Sequence, residues 1–511
     1  MEVELKLLLA PSDVAAFRRL NLLQRCAVRK PRTRRLNSTY FDTPALDLHR
    51  HGLELRVRRE SGQWVQTLKT SDRPASGLHQ RGEWEARVAG SAPDLTTLCA
   101  AVAGDTEAAQ LLRQPTLAQS LAPIFETAVR RTAWPLHLSP GNDVELVLDE
   151  GELRCGDARE PICEVECELK AGLPAALFDL ARQLQDAVPL RLGHLGKGAR
   201  GYALLAPQPP SAVKAQAVEL DTKGTVEQGF QAIAANCLAQ MQANEPGVIA
   251  GNDAESVHQM RVGTRRLRSL LRLFSRTMPL PPALQAELDW LTGELGAARD
   301  ADVLANSTLP KVARACANET ALADLQQAAA SRAAAKRQLV AGAVAGARYA
   351  RLMLDLACWV QTAGWHGSID ETAQAQHLSE ALAERALKIL KRRHRCLLQR
   401  GERLLDGTPK ERHRARIAAK KARYASEFFQ SLLPARRVKR YVRTLGVLQD
   451  ALGWMNDAVV AEGLLREMAR SRPDLVGAAG FARGWLAGHR DDDLRKLAPL
   501  WKDFGATKAP R

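Results

Sequence analysis

Charge and hydrophobicity alternate with period two at the start of the chain, and this constrains its fold more than any other feature. In Glu2-Val-Glu-Leu-Lys6 the carboxylates of Glu2 and Glu4 share a parity with the Lys6 ammonium, while Val3, Leu5 and Leu7 take the other. A strand turns successive side chains to opposite faces, so ionised groups line one side and aliphatic groups the other. Carboxylates beside a lysine on an otherwise buried strand need partners, and divalent metal with phosphate would supply both signs. With the strand starting at Glu2, no secretory signal is expected ahead of it.

The parity recurs along the first 205 or so residues. Arg56 and Arg58 alternate with Leu53, Leu55 and Val57, and Lys69 closes Gln66-Thr-Leu-Lys. Glu83 and Glu85 sit with Arg81 and Arg87 around Trp84, and Glu145 and Asp149 follow. Then Glu164, Glu166, Glu168 and Lys170 alternate with Cys163, Val165, Cys167 and Leu169. One such row is the wet face of an antiparallel sheet. Several rows mixing both signs fit the interior of a sheet closed into a barrel. A tunnel of that kind suits a short polyphosphate chelated to Mg2+ or Mn2+. Arg and Lys neutralise phosphate oxygens, grouped carboxylates hold hard cations, and two metals can activate water for in-line attack.

From Pro207-Gln-Pro-Pro-Ser onward the pattern changes. That segment predicts an extended linker over 207–217, between a strand-rich domain at 1–206 and a helical domain at 218–505. Charge follows the same division. Residues 1–206 hold 27 Lys+Arg against 26 Asp+Glu, so +15 of the +16 net charge lies beyond them. A half so basic expects a polyanion. Aromatic residues make up only 5% of the chain, which counts against stacking on single-stranded nucleic acid. No apolar run reaches the roughly 18 residues of a membrane span. The nine cysteines are scattered without a Cys-x-x-Cys pair, as in a reduced, cytoplasmic protein. No feature sets an oligomeric state.

The basic half contains a duplication. His258-Gln-Met-Arg-Val-Gly-Thr-Arg-Arg-Leu-Arg aligns with His413-Arg-Ala-Arg-Ile-Ala-Ala-Lys-Lys-Ala-Arg, and Leu295-Gly-Ala-Ala-Arg-Asp with Leu452-Gly-Trp-Met-Asn-Asp. At about 100° per residue, His258, Arg261, Arg265, Arg268 and Arg272 fall in a sector of roughly 80°. Met260, Leu267, Leu270, Leu271 and Phe274 lie opposite. The second copy repeats the ladder with His413, Arg416, Lys420 and Arg423, but Glu427 stands where the first has Arg272. A cationic stripe built twice favours polyanion binding over solubility. The two histidines are expected to donate to phosphate and to add affinity as pH falls through about 6.5.

Tyr40-Phe-Asp-Thr, Leu55-Arg-Val-Arg, Thr67-Leu-Lys69, Arg81-x-Glu83-x-Glu85, Cys163-Glu-Val-Glu-Cys-Glu and Leu195-Gly-Lys197-Gly-Ala-Arg200-Gly-Tyr, together with the opening Glu2-x-Glu4-x-Lys6, resemble the CYTH family, the triphosphate tunnel metalloenzymes. The resemblance implies an eight-stranded antiparallel tunnel that processes triphosphates with divalent metal. It implies that Glu2, Glu4, Glu166 and Glu168 hold metal, with Glu164 a further candidate. Lys6, Arg56, Arg58, Lys69, Arg131 and Lys197 would grip phosphate, and Glu83, Glu85, Glu145 and Asp149 complete the expected catalytic tunnel. Arg131 is preferred to Arg130 from its spacing to Phe125 and Trp134, and Gly196 replaces the family's serine.

The histidine-led repeats resemble the CHAD family, helical domains of two four-helix halves found beside CYTH domains. This resemblance implies binding of inorganic polyphosphate through Arg261, Arg265, Arg266, Arg268, Arg272, Arg416, Lys420, Lys421 and Arg423. Lys439, Arg440 and Arg443 are a further cluster that would extend that surface. The expected protein is an inorganic triphosphatase that hydrolyses triphosphate to pyrophosphate and phosphate, cytoplasmic and associated with polyphosphate granules. The alternatives are an adenylate cyclase, a thiamine or nucleoside triphosphatase, or a non-catalytic polyphosphate scaffold.

Overall fold

The computed structural model describes residues 2–60, 62–70, 78–102, 107–315, 320–366 and 371–510, apart from the side chains of residues 2, 79–81, 320–321 and 371–374. The chain folds into two compact units, Met1–Pro210 with Ala347–Thr362, and Ser211–Gly346 with Ala363–Arg511.

The first unit carries ten strands: β1 (Glu2–Leu9), β2 (Arg32–Asp42), β3 (Leu53–Glu60), β4 (Gln63–Thr70), β5 (Leu78–Arg81), β6 (Glu83–Val88), β7 (Ala122–Ser139), β8 (Asn142–Cys155), β9 (Ala158–Ala171) and β10 (Leu190–Leu192). They form one sheet in the order β10-β1-β9-β8-β7-β2-β3-β4-β6, with β5 also on β1. Every pairing is antiparallel. The sheet domain followed by helices is the expected architecture. Among the described residues the strand arrangement differs in detail, with ten strands instead of eight and no closed ring of ladders. The tunnel-like form comes instead from the β5–β6 run. These strands are parted only by Gly82, so one stretch of chain borders β1 at its start and β4 at its end. A Cβ at Gly82 would lie 2.7 Å from the Trp84 ring, so any larger residue there would have to displace that ring.

Both faces of β1 are buried, for different reasons. Leu5 and Leu7 are fully enclosed on one side of β1, while Glu4 and Lys6 are 4% and 1% exposed on the other. The helix Ala175–Ala187 covers β1 and β9 with its buried Leu177, Phe178, Leu180 and Leu184. Leu55, Val57 and Leu68 form one core with Leu95, Leu98 and Leu112. Each such leucine is worth about 1.5–3 kcal/mol, which offsets the cost of enclosing charge behind it. The helix Ala347–Gln361 belongs to this unit: Arg182 donates to Asp355 (2.7 Å) and Arg351 to Asp186 (2.6 Å).

In the second unit the two repeats begin matching helices. Asp253 caps Ala254–Phe274 by accepting from the Glu255 N–H, and Thr408 with Glu411 forms a capping box on Pro409–Phe428. The first helix buries Met260, Leu267, Leu270, Leu271 and Phe274, whereas the second buries mostly alanine, at 415, 418, 419, 422 and 425. Helices Pro282–Val303 and Ala435–Ser471 carry the second pair of repeated motifs. Among the described residues, no helix is long and apolar enough to cross a membrane.

Candidate active site and basic cluster

The charged faces of β1–β4 and β6–β9 enclose a cavity of about 380 Å³. Glu4, Lys6, Arg56, Arg58, Lys69, Glu83 and Glu85 line it from β1, β3, β4 and β6. Arg131, Glu145, Asp149, Glu166, Glu168 and Lys197 line it from the other side. The side chain of Glu2 lies outside the described residues. Arg131 faces inward, whereas Arg130 points out to Glu150 at 3.0 Å.

Register sorts these groups into rows. Glu4 stands opposite Glu168, and Glu168 opposite Glu145, so three carboxylates cross adjacent strands at one level. At another level Arg131 pairs with Asp149, and Asp149 with Glu164. Carboxylate oxygens of Asp149, Glu164 and Glu166 come within 4.8 Å of one another. Four cations hold that group together, Arg200 through Glu164 alone at 3.2 Å. Lys6 donates to Glu164 (3.2 Å) and Glu166 (2.5 Å). Arg131 bridges Asp149 (2.6 Å) and Glu166 (2.7 Å). Lys197 reaches Asp149 (2.7 Å) and Glu166 (2.9 Å) and also contacts Glu164. Opposite them Arg56 and Lys69 share Glu83, at 3.5 and 2.8 Å, and Arg58 meets Glu60 and Glu85.

Burial alone would favour the neutral forms of Glu166, Asp149 and Lys197, and their mutual pairing opposes it. It would lift the Glu166 carboxyl, but Lys197, Lys6 and Arg131 hold it well below the usual range. Asp149 is likewise held down, against burial, by Lys197 and Arg131. Burial would depress Lys197, yet Asp149, Glu164 and Glu166 keep it well above the ordinary lysine value. The result is a cavity in which carboxylates and cations hold one another in their charged forms. Its carboxylates offer the hard oxygen donors that Mg2+ or Mn2+ prefers. Asp149, expected only as a general tunnel residue, joins Glu164 and Glu166 as a candidate metal ligand.

Two charged lining residues escaped the sequence reading. Glu54 is 8% exposed and faces the cavity, and Arg34 lines it from β2. Parity was available for Glu54, which alternates in phase with Arg56 and Arg58. The Lys197 segment is placed by close approach. A Cβ on Gly198 would lie 2.2 Å from a Glu54 carboxylate oxygen, and one on Gly201 2.1 Å from the Phe125 ring. Gly196 stands at the N-cap without a side-chain bond, the position a serine would cap. Tyr40-Phe-Asp-Thr supplies a structural anchor: Asp42 accepts from the Leu48 and His49 amides and from the Tyr202 hydroxyl.

The basic residues of the second unit do not form one stripe. Arg261 and Arg265 on one repeat helix and Arg416 and Lys420 on the other lie within electrostatic reach of each other, with Arg299, Asp300 and Asp457 beside them. Arg265 also donates to the Tyr424 hydroxyl at 2.6 Å. Burial, with Arg265, Arg416 and Arg261 nearby, pushes the Lys420 ammonium down to about 7. His258 differs from expectation. Its Nδ1 accepts from Arg299 Nε at 3.0 Å, and burial with that guanidinium pushes it down to about 4. It is neutral at physiological pH and gains no charge near pH 6.5. His413 lines a separate recess with Arg412, Arg416 and Asp493.

Arg266 is 3% exposed and gives its donors to Gln240 (2.7 Å) and Asn236 (2.9 Å), so it belongs to the interior. The reason is angular: it sits one residue, about 100°, from Arg265. Arg268 is paired with Asp289 (2.7 Å) and Arg423 with Glu427 (2.7 Å). Arg272 lies near Lys421, with Arg393 also beside that lysine. Lys439, Arg440 and Arg443 are solvent-exposed on Ala435–Ser471.

Residues 1–202 match the family model described as the CYTH domain, and residues 232–466 that of the CHAD domain. The chain is 30% identical over 203 residues to an inorganic triphosphatase of Haemophilus influenzae, covering 40% of this chain and 54% of that protein. It is 28% identical over 298 residues to an uncharacterized protein of Mycobacterium tuberculosis, covering 53% and 52%. The chain thus spans about half the length of the curated relatives it matches. The crystal structure of the CHAD domain from the plant Ricinus communis aligns with a TM-score of 0.53 at 40% identity, over 59% of this chain and 99% of that one.

Proposed function

Because the chain is a CYTH domain followed by a CHAD domain, we propose that it is a metal-dependent inorganic triphosphatase whose helical unit binds inorganic polyphosphate. One observation carries the reading: inside the cavity Lys6, Arg131 and Lys197 pair with a cluster of three carboxylates, Asp149, Glu164 and Glu166. Those cations are the ones a triphosphate would draw to its own oxygens, which leaves the carboxylates to a divalent ion.

Glu4, Glu164, Glu166 and Glu168, with Asp149 and Glu2, are the residues that would hold Mg2+ or Mn2+. When bound, the ion supplies Lewis acidity toward the phosphoryl oxygens. Lys6, Arg131 and Lys197 bind the chain from one wall, and Arg56, Arg58 and Lys69 from the other. This fixes a terminal phosphorus for in-line attack by water. The bridging P–O bond breaks as the new one forms, and pyrophosphate leaves. Purified protein is expected to release phosphate from tripolyphosphate with metal, and Glu4→Ala to abolish it. Full activity in that variant would remove the site assignment. Abundant cyclic AMP from ATP would favour a cyclase instead.

In the helical unit, Arg261, Arg265, Arg416 and Lys420 are the proposed polyphosphate contacts. Their crowding leaves positive charge that a polyanion relieves. Competition of long polyphosphate against DNA at about 0.15 M salt tests this, and preference for DNA would reject it.

A further inference from the structure

Among the described residues, seven of the eight cations that line the tunnel cavity are committed to a carboxylate. Arg34 is the exception. It lines the cavity, it is exposed, and its side chain makes no hydrogen bond or ion pair with any described residue. Its position explains this. On β2 it stands opposite Arg131 of β7, but the β2–β3 ladder begins only at Ser38 and Arg58. Arg34 therefore lies on the part of β2 that runs past its pairing with β3, at the rim of the cavity. Arg35, next in sequence, faces an outer groove with Arg130 and Glu150.

We propose that Arg34 is a further substrate-binding residue, the rim cation that first takes a linear phosphate chain and guides it into the tunnel. The proposal rests on the phosphoanhydride substrate class argued above. A paired cation engages phosphate only as its carboxylate is released, whereas Arg34 gives up no partner among the described residues. Its guanidinium presents a planar fork that matches two phosphate oxygens. Because it is exposed, its attraction acts on the incoming chain and is weakened by salt. Such a residue raises the rate of productive encounter more than the rate of bond cleavage.

The test compares wild type, Arg34→Ala, Arg34→Lys and Arg35→Ala on tripolyphosphate with Mg2+ across ionic strengths. At about 0.05 M salt, Arg34→Ala is expected to lower kcat/KM by about tenfold, with kcat within about twofold of wild type. The gap should shrink as salt approaches about 0.5 M. Arg34→Lys should fall between, and Arg35→Ala should match wild type. A kcat/KM unchanged in Arg34→Ala, or a loss confined to kcat and indifferent to salt, overturns the proposal. Calorimetric titration with tripolyphosphate separates it from the underlying reading. Wild type that binds but does not hydrolyse removes the triphosphatase assignment, and Arg34 is then judged by whether Arg34→Ala weakens binding. Equal affinities, or no binding by wild type, overturn it.

Discussion

Tyr202 donates its hydroxyl to Asp42 at 2.9 Å across 160 residues of sequence, and both side chains are buried. The bond ties the end of β2 to the helix Lys197–Leu205, which carries Lys197 into the cavity. Tyr202 also stacks on His49 and meets the edge of Phe125. Two stretches that resemble family signatures are therefore one structural joint. Tyr202→Phe should keep the stacking but leave a buried carboxylate short of a donor. A stability loss of about 1–3 kcal/mol is expected in denaturant titration of the full chain. KM should rise, because Lys197 loses its fixed position.

Lys197 serves three carboxylates at once, so its removal is expected to cost both activity and stability. In Lys197→Met, Asp149, Glu164 and Glu166 lose a shared cation inside the cavity. Loss of one member of a buried charge group costs about 3–5 kcal/mol. Triphosphatase activity should drop by at least about a hundredfold if Lys197 neutralises a phosphoryl oxygen. Mg2+ should raise the melting temperature of this variant more than that of wild type, since a bound cation replaces the missing charge. An equal rise would count against a metal among these carboxylates.

Arg266 separates packing from binding. Arg266→Ala should destabilise the helical unit by about 2–4 kcal/mol, because Gln240 is left buried without its donor. The polyphosphate Kd of the folded variant should stay within about twofold. Arg265→Ala, one residue away, should weaken binding about tenfold with a far smaller stability loss.

Lys420 sets the expected pH dependence of polyphosphate binding. Held down to about 7 by burial and by Arg265, Arg416 and Arg261, it is largely neutral at pH 8 and charged at pH 6. Affinity should therefore rise as pH falls from 8 to 6, with proton uptake on binding. The folded value lies below the unfolded one, near 10.4, so folding releases a proton between the two. The charged form is the destabilised one, and this destabilisation is fully present below about pH 7 and disappears as pH rises through 7 to 10. Lys420→Met should raise the melting temperature at pH 6 by about 2–4 °C for each kcal/mol relieved. It should also flatten the pH profile of binding. His258, neutral above about 4, should contribute nothing to that profile.

The two-unit architecture and most of the tunnel lining were legible because a strand's parity is a local property. Glu4 with Lys6, Arg56 with Arg58, and Glu164 with Glu166 each follow from counting by two, whatever the rest of the chain does. The repeat was equally local, since position-by-position likeness needs no coordinates. Parity does not say which strands are neighbours, or at what height. Register brings Asp149 to Glu164 and Glu166 and puts Glu4 level with Glu145 and Glu168, and register depends on bulges and turns throughout the sheet. The same limit applied to the helices. A helical wheel puts Arg261, Arg265 and Arg268 on one side of their helix, but only packing against other helices gave Arg268 to Asp289 and His258 to Arg299.

The sequence by itself determined which side chains face a charged interior and that a basic helix occurs twice. The tertiary structure decided which of those charges neutralise one another. Pairing depends on separations of a few ångströms between residues far apart in the chain, and it leaves Arg34 as the lining cation without a described partner.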